Sequence, residues 1–190
     1  MALDAEAVVV AGTGHLWVAP VGSTLPAPNS DPTADPDTAF AELGYTSTDG
    51  VTVTSTADIS EFEAWQATTA IRRSRRVQVQ EMTADLLEWN ENTVVAAFGG
   101  GEVTSSGGFY TYTFPVAGEA LKEYAVVLDV QDGERNMRIV IPRMNSGLED
   151  VETQFNKENM AVLPITLRSL AADDAPYVIF DDAAAFAAAS

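Results

Sequence analysis

Four arginines lie within five positions of this chain, at Arg72, Arg73, Arg75 and Arg76. They are four of only ten basic residues in a protein whose formal net charge is −18 at pH 7. Guanidinium groups bind carboxylates and phosphates through paired hydrogen bonds. The cluster could therefore bind an acidic protein surface or nucleic acid, or it could be a solvated basic loop with no partner.

The sequence around the cluster favours an acidic protein surface. No aromatic residue for base stacking stands between the arginines, and the negative charge of the rest of the chain opposes the approach of DNA. The most abundant acidic surface available is a second copy of the same protein, and a head-to-tail contact between copies can repeat into rings or filaments. Nearby, Phe62 and Trp65 either pack back into the core or anchor that contact, since aromatic residues beside arginine are typical of interface centres. We predict an inter-subunit contact at Trp65, Arg72, Arg73, Arg75 and Arg76.

The residue types of common catalytic and metal sites are scarce. His15 is the only histidine, and its surroundings in the sequence show neither a nucleophile nor an orienting acid. The chain has no cysteine, which excludes disulfides and thiolate metal sites. We therefore expect no catalytic residue, no metal site and no cofactor, and the protein is not expected to be an enzyme.

Two segments resemble ligand-binding loops without matching their patterns. Residues 12–14 read Gly-Thr-Gly, but Trp17 stands where a dinucleotide-binding loop needs its third glycine. Residues 31–37 contain three aspartates whose spacing differs from that of a calcium-binding loop. We interpret the first segment as a flexible lead into a strand and the second as solvated loop charge.

The arginine cluster must be presented by β structure. Its first half would place charge on both faces of a strand, so we expect a loop arm or an exposed hairpin leg that enters the core only at Val77 and Val79. Residues 22–38 contain four prolines and no apolar period, which predicts a long surface loop. Further strands are predicted at residues 14–21, 107–116 and 160–170, with turns at Asp49-Gly50 and Asp132-Gly133.

One short helix is predicted at residues 93–98, capped by Asn90 or Asn92 and closed by Gly99 to Gly101. With seven or eight strands, this gives a mainly β protein: a β-sandwich or barrel with one short flanking α-helix and long inter-subunit loops. We expect a single β domain over residues 1–172. Residues 173–190 are interpreted as an Ala-rich C-terminal tail that is disordered or awaits a partner.

No apolar run approaches the roughly 20 residues that span a bilayer, and the acidic N-terminus lacks the basic region of a signal peptide. We therefore expect neither a membrane partner nor a secretion signal.

The order of several segments resembles the major tail tube protein of long, non-contractile-tailed bacteriophages, especially those of actinobacterial hosts. The segments are GHLWVAPVGSTLP (14–26), AELGYTSTDGVTVT (41–54), EAWQ (63–66) and LLEWNENTVVAAFGG (86–100). Each is ordinary strand and turn sequence by itself. Their order and spacing, over about residues 12–172, carry the resemblance.

The resemblance implies a β-sandwich with a flanking helix that forms hexameric rings, which stack into a tail tube. Genomic DNA would pass through its acidic lumen without specific binding. An arm at Ala57–Arg76 and the loop at residues 22–38 would bridge subunits. The other partners would be the tape measure protein and further tail proteins, and the protein would be part of the virion tail after assembly in the host cytoplasm.

Two other functions stay open on the sequence. One is a carbohydrate- or receptor-binding β-sandwich module, which would form small discrete particles. The other is a tail terminator or connector protein, which would stop at one ring. A hydrolase is disfavoured by the single histidine and the missing cysteine.

Overall fold

The computed structural model describes residues 8–147 and 150–181 of the 190-residue chain. This part of the chain forms ten strands and one helix, so the expectation of a mainly β protein with one short helix is confirmed. The elements in chain order are β1 (Thr13–Pro20), β2 (Ala41–Glu42), β3 (Thr46–Phe62), β4 (Arg72–Leu86), α1 (Glu91–Ala97), β5 (Glu102–Ser106), β6 (Phe109–Thr113), β7 (Glu123–Asp132), β8 (Arg135–Ser146), β9 (Leu163–Ser169) and β10 (Tyr177–Phe180).

Eight of the strands form one antiparallel sheet. The order is β2-β1-β7-β8-β9-β4-β3, and β10 pairs with β8 beside this path. The path is open, because β2 and β3 at its two ends do not pair with each other in the described residues. Strands β5 and β6 form a separate two-stranded sheet.

The large sheet forks at the end of β9. One edge of β8 pairs with β7, while the other pairs with β10 over Met137–Val140 and with β9 over Met144–Ser146. Both neighbours of β9, namely β8 and β4, continue past its last residue, Ser169. One prong of the fork therefore contains β1, β7, β8 and β10, and the other contains only β3 and β4.

The main core lies on one face of this sheet. Its buried side chains come from both halves of the strand path, so the sheet must curve around them. Ala96 and Ala97 bring α1 onto the same core. The largest fully buried members are Leu16, Leu43, Met82, Leu86, Val126, Ile141, Met144, Leu163, Ile165 and Leu167.

The opposite face of β1, β7 and β8 is also covered. A second buried cluster there includes Phe40, Val127 and Val140, with Leu25 and Tyr177 packed against it. The chain between β1 and β2 thus covers the outer face of its own sheet. This is why β7 contains the continuous apolar run Ala125–Leu128 instead of an alternating pattern.

The predicted helix is present with shifted bounds: it runs over Glu91–Ala97 instead of residues 93–98, and of the two predicted caps it uses Asn90. Asn90 is the N-cap: its side chain accepts a hydrogen bond from the Thr93 amide at 3.1 Å, and the Thr93 hydroxyl accepts one from the Asn90 amide at 2.9 Å. This reciprocal pair satisfies two amides that the first turn leaves without helical partners. Gly99, with φ of +71°, follows the C-cap Phe98.

The predicted turn at Asp49-Gly50 is wrong, because both residues lie inside β3. Gly50 has φ of +69°, and the pairing register of β3 with β4 shifts between Thr46 and Val51. A glycine with positive φ serves a β-bulge as well as a hairpin turn. The strand before it, β2, pairs with β1 instead.

The other strand predictions are confirmed in part. The turn after Asp132 joins β7 to β8, with Gly133 at φ of +60°. The strand predicted at residues 107–116 is shorter, because Gly107 and Gly108 form a turn that pairs β6 with the unpredicted β5. The sheet also extends past residue 172, since β10 pairs with β8 and buries Ile179. Residues 182–190 of the predicted tail lie outside the described residues.

Candidate subunit interface

The arginine cluster lies on a two-stranded ribbon. Strands β3 and β4 pair from Thr46 opposite Leu86 to Phe62 opposite Arg72. The third strand, β9, pairs with β4 only from Leu86 to Glu81, and its last contact is the Gln80 amide, which donates to the Ser169 hydroxyl at 2.8 Å. We call the part beyond this pairing, residues 55–80, the arm; at about 3.3 Å per residue its strands project about 30 Å beyond β9. The predicted hairpin leg is confirmed, and the predicted arm, Ala57–Arg76, is the distal part of this ribbon.

The tip of the arm presents an aromatic side chain to solvent. The Ala67 amide donates to the Ala64 carbonyl at 3.0 Å, and the Ile71 amide donates to the Phe62 carbonyl at 2.9 Å, which closes the ribbon. Trp65 lies in this turn and is 99% exposed, while Phe62 is half exposed. The alternative in which both rings pack into the core of their own subunit is therefore wrong.

Two of the four arginines have partners on the arm itself. Nε of Arg73 lies 2.8 Å from Oε1 of Glu61, directly across the ribbon, and Nη1 of Arg75 donates to Oε1 of Gln78 at 2.7 Å. Arg72 and Arg76 form no salt bridge with any described residue. Arg76 is also the extra residue of a β-bulge, because Ile59 pairs with Arg75 and Asp58 with Val77.

The arm carries a local excess of positive charge. Its acids are Asp58, Glu61 and Glu63, against the four arginines, in a chain that has 28 acidic residues. Apolar side chains stand among these charges, since Ile59, Ile71 and Val77 are all exposed. A surface that combines aromatic, aliphatic and arginine side chains has the composition of an interface centre.

The predicted entry of β4 into the core at Val77 and Val79 is wrong. Val77 is 52% exposed, Val79 is half buried, and the first fully buried side chain of the strand is Met82. The reason is the length of β9, whose pairing with β4 begins only at Glu81.

The outer edge of β3 is a second candidate contact, which the sequence reasoning missed. It is the last strand of the path, and its free edge extends over 17 residues among those described. The strand contains no lysine or proline, the residues that commonly protect free edges from pairing with other chains. The β-branched residues after Gly50 do indicate a strand, but the turn predicted at Asp49-Gly50 made that strand begin too late.

The loop at residues 22–38 is bound to its own subunit. The side chain of Arg138 is 3% exposed and pairs with Asp129, Nε to Oδ1 at 2.5 Å and Nη2 to Oδ2 at 2.8 Å. Its Nη2 also donates to the Ala34 carbonyl at 2.7 Å, and the Tyr177 hydroxyl donates to the Pro26 carbonyl. The loop is thereby fixed against β8 and β10, and bridging to another subunit stays a prediction for its outward side.

The remaining candidate residues have local roles. Nδ1 of His15 lies 2.5 Å from Oε1 of Glu42, which ties β1 to β2. The Thr33 hydroxyl donates to Asp31 at 2.7 Å, and this bond lowers the pKa of the Asp31 carboxyl. The Gly12 amide donates to the Gln131 carbonyl, and a strand follows it.

In the part of the chain that the structure describes, no group of three or more potential ligand side chains could hold a metal ion.

No helix within the described ranges is long and apolar enough to cross a membrane.

Comparison with known proteins gives one family. A family model described as phage tail tube protein matches residues 1–189. Among solved structures, one match is a chain from the virion of native gene transfer agent (GTA) particle, with a TM-score of 0.41 and 11% sequence identity. The match covers 75% of this chain and 89% of that chain. No curated protein matches the sequence.

Proposed function

This chain belongs to the phage tail tube protein family, and on that basis we propose that its copies assemble into stacked hexameric rings that form the conduit for DNA ejection. The family is one of structural phage proteins. We propose that the chain has a structural role in the virion and catalyses no reaction.

The proposal of self-assembly rests mainly on the structure of the arm. A two-stranded hairpin without a third strand is at best marginally stable in water. Here such a ribbon exposes Trp65, Phe62 and the four arginines of residues 72–76. Docking on another subunit would cover the apolar side chains and supply carboxylates to the arginines. With 28 acidic residues against ten basic ones, each copy offers many acidic partners.

The open strand path supports closure into a ring. The free edge of β3 has backbone groups that can pair with a strand of the neighbouring subunit. Repetition of one such heterologous contact closes a ring when the rotation between copies fits, and hexamers are what the family resemblance implies.

The charge of the chain suits a conduit for DNA. A formal net charge of −18 per copy provides acids for the wall of the bore, and such a wall repels phosphate. DNA would then pass without specific binding. The tape measure protein and other tail proteins are the remaining proposed partners, with assembly in the host cytoplasm before incorporation into the virion.

The experiment changes Arg72, Arg73, Arg75 and Arg76 together to glutamate. We expect the circular dichroism spectrum and the unfolding midpoint to stay the same, because these side chains lie outside the core. In negative-stain images over a range of salt and protein concentration, we expect the unmodified protein to form tubes and the variant to form none. Normal tubes from this variant would contradict docking through the arm.

A matched pair of variants separates the arm from net charge. Changing the four arginines to glutamine removes four positive charges from the arm. The control places glutamate at four exposed positions of the β5–β6 hairpin and reaches the same net charge; its positions are Thr104, Ser105, Ser106 and Thr111. We expect tubes from the control and none from the glutamine variant, whereas loss of tubes in both would assign the effect to net charge.

Particle shape tests the alternatives. Discrete single rings that never stack would favour a terminator or connector protein. Monomers under all conditions, with an intact fold, would favour a binding module and would overturn the proposed tube.

A further inference from the structure

A groove of about 840 Å³ lies beside the fork of the sheet. The chain after β1 forms one wall, and the link from β9 to β10 forms the other. Its lining includes Leu25, Pro26, Pro28, Pro142 and Tyr177. We call it the proline groove. Rigid proline rings and an aromatic side chain form a surface on which another aromatic ring can pack.

The rim of the proline groove is acidic. Asp173 and Asp174 are both exposed there. Among the described residues that line the groove, the only cation is Arg143, which is already bound by Glu123, with Nε to Oε2 and Nη2 to Oε1 both at 2.8 Å. Its Nη1 donates to the Ala171 carbonyl at 3.0 Å. The charge of Asp173 also acts on Arg143 and raises the pKa of its guanidinium, but the hydrogen bonds of that group go to Glu123 and Ala171. Both rim carboxylates can therefore still attract a further cation.

Electrostatics in the groove agree with this geometry. The bond to Arg143 holds the pKa of Glu123 below its usual value, so the carboxylate and the guanidinium both stay charged. The pair therefore contributes no net charge to the groove. Burial raises the pKa of the Tyr177 hydroxyl; the charge of Asp174, which also lines the groove, raises it further, and Arg138 opposes this.

The arm tip has the complementary features. Trp65 provides an aromatic ring and Arg72, at the base of the same turn, provides a cation without a salt bridge among the described residues. Because Trp65 is 99% exposed, the groove of its own subunit does not hold it. The arm of a second copy has both features, and it is present wherever copies of this chain assemble.

We propose that the proline groove is the receptor for the arm tip of a second copy of this chain. Trp65 packs against the prolines and Tyr177, and Arg72 pairs with Asp173 and Asp174. The inference rests on the proposed self-assembly and specifies where the arm docks. The contact joins two different patches, so each copy that docks brings a further tip and a further groove, and the contact can repeat from copy to copy.

The absence of cysteine from the chain allows a direct test. Gln66→Cys places a thiol beside Trp65, and Ala172→Cys places one on the groove rim. A disulfide needs the two Cα atoms within roughly 4.4–6.8 Å, so it reports close contact only. In the double variant we expect oxidation to produce a ladder of covalent oligomers on non-reducing gels. Each single variant should give dimers at most.

A control and a charge swap complete the test. Gln66→Cys combined with Ala117→Cys, which is exposed and outside the groove, should give no ladder. Adding Arg72→Glu to the tip and groove cysteines should reduce the ladder at least ten-fold. Adding Asp173→Arg and Asp174→Arg to that variant should restore it.

The outcomes separate the two proposals. Normal tubes without a ladder would overturn the groove as receptor and leave the tube intact. An equally strong ladder in the Ala117 control would also overturn it. Absence of both tubes and ladder would overturn the proposed function, and the groove with it.

Discussion

The arm and the central strands β7 and β8 use the same antiparallel pairing in opposite surroundings. Residues 125–128 of β7 are buried on both faces of the sheet, while the β3 leg of the arm is exposed on both faces over residues 55–59. The central strands are stabilised inside one subunit, by the main core on one side and by the chain between β1 and β2 on the other. The arm has no such cover, so its side chains can contribute little to the stability of a single copy and much to contact between copies.

Ion pairs offer the sharpest way to test this difference. Asp129→Ala leaves the buried guanidinium of Arg138 without its carboxylate, which should reduce the free energy of unfolding by about 3–5 kcal/mol. Glu61→Ala removes the partner of Arg73, where the two side chains are 46% and 71% exposed, and should cost about 0–1 kcal/mol. Urea unfolding of the unassembled protein measures both. Equal costs would show that the arm is as well packed as the central strands.

The two ends of β4 allow the same comparison within one strand. Leu86→Ala should destabilise the subunit by about 2–5 kcal/mol, because the side chain is fully buried in the main core. Val77→Ala, nearer the arm tip, should change the unfolding free energy by less than about 0.5 kcal/mol. The same urea titrations give these values. A large loss for Val77→Ala would mean that the arm folds against its own subunit.

Alkaline pH should affect the central strands and not the arm, which contains no tyrosine. Burial raises the pKa of Tyr124 in β7 to about 12, with a smaller increase from Tyr112. The unfolded chain loses this proton near pH 10, so the stabilisation is complete below pH 10 and is lost as the pH rises from 10 to about 12. Tyr124→Phe should make the decline of unfolding free energy over that range shallower. The exposed Tyr45→Phe is the control, and an identical decline in both variants would contradict the assignment to Tyr124.

Where local chemistry determines the structure, the sequence was a sufficient guide. Asn90 can cap only a helix that begins directly after it, and the turn after Asp132 joins two apolar runs that have no other nearby partner. The four arginines could not share a strand that is buried on either face. That restriction predicted an exposed segment, either a loop arm or a hairpin leg, and the resemblance supplied its bounds.

Where the structure depends on what lies beside a strand, the sequence left alternatives. Val77 and Val79 have the apolar alternation of a core strand, and the alternation does not reveal that β9 pairs with β4 only from Glu81 onward. Gly50 signalled a backbone with positive φ, which a hairpin turn and a bulge both use. Trp65 had two interpretations because an aromatic ring is equally suited to a core and to an interface. The proline groove has no signature in the sequence, since its walls come from segments more than a hundred residues apart.

The continuity of β4 from Arg72 to Leu86 has a mechanical consequence. A pull on the arm tip along the strand is carried to the subunit body through ladder hydrogen bonds that lie nearly perpendicular to the load. Bonds in this arrangement are sheared together and resist as a group, whereas a pull across the strand would open them one after another. An arm fixed in the groove of the next copy would therefore resist a pull along its own axis and give way more easily to a pull across it. A tube built from such arms would resist stretching and still bend.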